Sequence, residues 1–70
     1  MTTHVSVARR WFEARKLQKL GITDAALKIG IPLEALAAIE HSGDLRALSE
    51  EQLRLAAAAY DVSVGFLLGK

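Results

Sequence analysis

The sequence predicts an all-α fold built from five short helices. Strand signals are nearly absent: Val62-Ser63-Val64 is the sole β-like stretch, and it is too short to pair usefully. Apolar residues elsewhere recur at helical spacing. Glycine, proline, serine and threonine divide the 70 residues at short intervals with helix start and stop signals.

The first helix is expected over residues 5–20, ended by Gly21 in the left-handed conformation of a C-terminal stop. On a helical wheel Val7, Trp11, Ala14 and Leu17 share one side, and Val5, Ala8 and Phe12 another. Burying both sides needs a core that wraps the helix or a partner that covers one side. The second helix is short, over residues 24–29. Thr23 is placed as its N-cap, and Asp24 suits the positive end of the helix dipole. Gly30 stops it, and Ile31 is an apolar plug in the turn.

Pro32 opens a third helix, where its fixed φ suits the first helical position. This helix runs to residue 40 or 41, and Ser42-Gly43 ends it. Leu36 and Ile39 face inward; Glu34, Ala37, Ala38 and His41 lie opposite, with Leu33 at their flank. A polar loop covers residues 43–48. Ser49-Glu50-Glu51-Gln52 forms a capping box, and the fourth helix continues to about Tyr60. Its run of alanines, Ala56 to Ala59, lets another helix come close. After a turn at Asp61, Ser63 caps a last helix over residues 64–68. No repeat, linker or low-complexity tract breaks the chain, so residues 1–70 read as a single domain.

Composition narrows the function. A chain this short buries only about 60% of its unfolded surface, so its core is small. It has no cysteine, hence no disulfide and no thiolate metal site, which fits a reducing, cytoplasmic location. No window approaches the roughly 18 apolar residues of a membrane span. The basic first helix scatters its apolar residues, which suits a membrane surface poorly. His4 and His41 are the only histidines and do not have metal-ligand spacing, so neither metal nor cofactor is expected. His41, Ser42 and Asp44 are close in sequence, but they form a helix-ending loop, with nothing to orient a base or bind an oxyanion. No glycine-rich phosphate loop is present. An enzyme is not expected.

Charge is uneven. Arg9, Arg10, Arg15, Lys16, Lys19 and Lys28 against Glu13 and Asp24 give residues 1–28 a net +4. Residues 29–70 carry −3. The basic half can attract an acidic partner that the other half repels.

The order of the elements resembles the Cro/lambda-repressor family of helix-turn-helix domains. Gly21-Ile22-Thr23 is similar to the family's G-L-[ST], and Ala25-Ala26-Leu27-Lys28-Ile29-Gly30-Ile31 to its L-A-x-x-L-G-V. Leu36, Ile39 and Glu40 match I-x-x-I-E. Tyr60-Asp61-Val62-Ser63-Val64 with Leu67-Leu68-Gly69 resembles L-G-V-S-L…L-L-G. Gly21 to Gly69 is about 70% of the chain.

The resemblance implies a small transcriptional regulator that binds duplex DNA as a homodimer. It implies that the third helix enters the major groove while nearby groups hold phosphates. Thr23, Lys28 and Arg46 are then the phosphate contacts, and Leu33, Glu34, Ala37, Ala38 and His41 form the reading face. That face has no arginine or glutamine for bidentate base contacts, so base readout is expected to be weak or unusual. The family commonly places a phosphate-binding glutamine where this chain has Asp24. The alternative is a protein-interaction module on the same fold that does not read bases: an antirepressor, antiactivator or inhibitor of a transcription factor or RNA polymerase. Its interface would draw on Trp11, Phe12, Phe66 and Leu67.

Overall fold

The computed structural model describes residues 6–70. The expectations placed on His4 and Val5 lie outside the described residues. Five helices follow one another: α1 (Val7–Leu17), α2 (Ile22–Ile29), α3 (Leu33–Ser42), α4 (Glu50–Tyr60) and α5 (Val64–Leu67). Among the described residues there is no strand, and no helix is long and apolar enough to cross a membrane.

Local chemistry explains most of the boundaries. The Ser6 hydroxyl accepts from Arg9 N at 3.1 Å and caps α1. At α4 the capping box is complete: Ser49 Oγ accepts from Gln52 N, and Gln52 Oε1 accepts from Ser49 N. Ser63 caps α5 through Phe66 N. Gly30 and Gly43 close α2 and α3 with φ of 83° and 76°, a region that glycine enters without steric cost.

Three boundaries differ from expectation. α1 stops at Leu17, and Lys19 rather than Gly21 takes the left-handed position, with φ of 58°. Leu20 N bonds to Arg15 O and Lys19 N to Lys16 O, the paired bonds of a Schellman ending. Leu20 thereby turns onto the core. Gly21 is left extended and becomes the N-cap of α2. Thr23 is therefore the second residue of α2, not its cap, because Ile22 packs on the core and draws the helix start back. Pro32 likewise precedes α3 as N-cap, with φ −62° and ψ 150°.

The core gathers one face of every helix. Trp11 and Ala14 of α1, Ile29 of α2, Leu36 and Ile39 of α3, Ala56 and Tyr60 of α4 and Leu67 of α5 are all buried. The Trp11 ring meets Tyr60 edge-on, with centroids 6.1 Å apart. Trp11 Nε1 donates to Leu67 O at 2.9 Å. α1 is buried on one side only. Leu17, expected on that side, is 79% exposed, and Phe12 is 43% exposed. The side chain that joins Trp11 and Ala14 inside is Arg15.

Ile31 is buried in the α2–α3 turn, as its apolar character predicts. Gln52 Nε2 donates to Gly30 O at 3.1 Å, tying α4 to that turn. α2 packs against both α3 and α4, and Ala56 and Ala57 at the α4 contact surface let the backbones approach.

Candidate nucleic-acid interface

The third helix is oriented by its buried residues. Leu36 and Ile39 are completely buried, so the 3.6-residue period turns the opposite residues outward. Glu34, Ala37 and His41 are exposed, Leu33 is 44% exposed, and Ala38 is half-buried. This outward face has one carboxylate in its first turn and one imidazole in its last. Between them it offers methyl groups.

A charged fork holds α3 against α1. Arg15 Nε and Nη2 donate to Glu40 Oε2 and Oε1 at 2.7 and 2.9 Å, and Arg15 Nη1 donates to Leu20 O at 2.9 Å. Both side chains are about nine-tenths buried. The hydrogen bonds to Glu40 push the Arg15 guanidinium above its ordinary pKa, against the opposing effect of burial. The Tyr60 hydroxyl is buried with no hydrogen-bond partner among the described residues. Burial pushes it up to about 12; the Glu40 carboxylate adds to the rise and Arg15 opposes it.

The cations divide by what they already hold. Thr23, Asp24 and Lys28 are exposed on α2, and Lys28 has no ion-pair partner among the described residues. Arg46 sits in the loop after α3 with its side chain 90% exposed, but Asp44 grips it. Arg46 Nε and Nη2 donate to Asp44 Oδ1 and Oδ2, each at 2.9 Å. Those bonds, with Arg46 N, hold the Asp44 carboxyl down at about 2. On α1, Arg9 pairs with Glu13 at 2.8 Å. Arg10 lies over the Phe66 ring at 4.9 Å and donates to Phe66 O. Arg15 is committed to Glu40. The basic surplus of the first 28 residues is thus partly spent inside the protein.

The residues grouped as a protein interface separate. Trp11 and Leu67 are fully buried and take no part in any surface, because each completes the other's environment through the indole–carbonyl bond. Phe66 is half-buried under Arg10. Phe12 remains outside, with Arg15 and Lys16 over its ring at 5.4 and 5.9 Å.

A family model described as Helix-turn-helix matches residues 12–67, four-fifths of the chain. The chain belongs to this helix-turn-helix family. Within it the domain is of the Cro/lambda-repressor type, and the family is one of DNA-binding transcription regulators. No match was found among curated proteins or among solved structures. In helix-turn-helix terms, α2 and α3 are the paired helices, and Gly30-Ile31-Pro32 is the turn between them.

Sequence reasoning missed two side-chain pairings. It took Arg15 for a surface cation, although its partner Glu40 already stood in the family pattern. It also overlooked Asp44 as a competitor for Arg46, although acid and base lie two positions apart.

Proposed function

We propose that this chain is a small transcriptional regulator that binds duplex DNA as a homodimer in the cytoplasm, with weak or unusual base readout. The observation that carries this is the outward face of α3. It is exposed on a helix that Leu36, Ile39 and the Arg15–Glu40 fork hold firmly, within a DNA-binding family. α3 enters the major groove with Leu33, Glu34, Ala37, Ala38 and His41 toward the bases. Thr23 and Lys28 on α2 and Arg46 in the following loop meet phosphates. Few cations are available for this, so the electrostatic share of binding is small, and dimerisation doubles it.

Fluorescence anisotropy tests this reading. Labelled random duplex and duplex from upstream of the protein's own gene are titrated from low to physiological salt. Binding to the upstream duplex that survives at about 150 mM salt while random binding fades supports a sequence-specific regulator. Lys28→Glu with Arg46→Glu abolishes that binding; unchanged affinity in the double variant rejects the phosphate assignment.

A second reading has its own observation. Phe12 and Leu17 are exposed on α1 at 43% and 79%, and Asp24 places an anion at the start of α2. These suit a protein partner in transcription. Absence of binding to either duplex even at low salt selects this reading.

A further inference from the structure

The outward face of α3 is apolar where a base-reading helix ordinarily carries hydrogen-bonding groups. Leu33 opens the helix and is 44% exposed. Ala37, one turn later, is exposed, and Ala38 is half-buried beside it. Residues four apart lie on one helical face, so Leu33 and Ala37 form a continuous apolar strip about 6 Å long. Glu34 beside them has only acceptor oxygens. His41 lies at the far end of the helix.

A base pair shows one apolar group in the major groove, the C5 methyl of thymine. The other groups of the base-edge code are donors or acceptors, and burying one against a leucine without a partner is unfavourable. The strip therefore accepts thymine and rejects the bare polar edges of G·C pairs. Glu34 sharpens the choice: it can accept only from an amino group, that of cytosine or adenine, and it repels a phosphate brought close.

We propose that this protein selects its DNA through thymine methyl groups packed against Leu33 and Ala37. The inference rests on the DNA-binding reading above and names the feature of the duplex that is read.

The test begins by selecting bound duplexes from a randomised pool with the intact protein. Each thymine of the selected duplex is then replaced in turn by deoxyuridine, which deletes only the methyl group. Wild type is expected to bind about fourfold more weakly at one or two positions, the effect of losing one buried methyl-sized group. In Leu33→Ala the penalty at the position facing Leu33 disappears, because the two changes remove the same contact. Leu33 is surface-exposed, so its truncation opens no core cavity; far-UV circular dichroism checks the fold, and Leu33→Gln serves as a second variant.

Selected duplexes that tolerate uracil at every position overturn the proposal while leaving DNA binding intact. A uracil penalty that persists undiminished in Leu33→Ala also overturns it, since the methyl group then acts through duplex shape or stiffness. Failure to enrich any duplex overturns both this inference and the DNA-binding reading.

Discussion

Arg15 and Glu40 meet fork to fork between α1 and α3, 2.7 and 2.9 Å apart at their two contacts. They are 25 positions apart in sequence, and both side chains are almost out of water. A buried pair of this kind is poor evidence of net stability, because desolvating both charges offsets most of their attraction. Its effect here is geometric. The planar guanidinium accepts one carboxylate orientation, and its third contact fixes Leu20 O.

Removing one partner exposes that balance. Glu40→Ala leaves the guanidinium buried without its anion and is expected to cost about 3–5 kcal/mol in urea denaturation. The double replacement Arg15→Met with Glu40→Leu should be far milder, within about 1–2 kcal/mol of wild type, since no charge remains inside. A double variant as unstable as Glu40→Ala would show that the fork itself supplies stability.

Tyr60 sets a limit at alkaline pH. Its hydroxyl rises from an ordinary value of 10 to about 12 in the folded protein, chiefly through burial. Below pH 10 both states keep the proton, and stability does not depend on this group. Between about 10 and 12 the unfolded chain releases the proton while the folded chain retains it, so stability falls as pH rises. The loss is on the order of 2 kcal/mol. Tyr60→Phe should remove this component of the pH dependence in thermal melts. It should cost little at neutral pH, because the hydroxyl has no hydrogen bond to lose among the described residues. An unchanged alkaline slope in the variant would assign the effect to other groups.

If Arg46 is a phosphate contact, Asp44 is its competitor for that role. In the DNA-binding reading a phosphate must share or replace the two 2.9 Å contacts that Asp44 makes. Asp44→Asn removes the competing charge. Affinity for duplex DNA should rise at low salt, and the slope of log K against log salt should steepen by up to about 0.9, one additional phosphate contact. Titrations at several salt concentrations measure both. An unaltered slope would place Arg46 away from the phosphates.

Much of the fold is legible because its signals are local. Ser49 with Gln52, Ser63, Gly30 and Gly43 each act within four residues, and each does in the structure what its chemistry predicts. The outward face of α3 is legible for a related reason: Leu36 and Ile39 define the buried side, and helical periodicity gives the other. What sequence reasoning misplaced depends on distant contacts. Gly21 looks like the natural left-handed stop, yet the packing of Leu20 shifts that conformation to Lys19. Arg15 looks like a surface cation until α3 brings Glu40 beside it. Trp11 and Leu67 look available to a partner until α1 and α5 meet. Phosphate contacts are the least legible, since a cation's availability depends on which acid folds next to it.

The bond from Trp11 Nε1 to Leu67 O joins residues 56 positions apart. It has a consequence for how the protein is made. Chains leave the ribosome N-terminus first, so α1 emerges long before α5 exists. Until Leu67 has emerged, the indole lacks both its hydrogen-bond acceptor and part of its apolar cover. The α1 side of the core therefore stays incomplete until α5 has been made and docks.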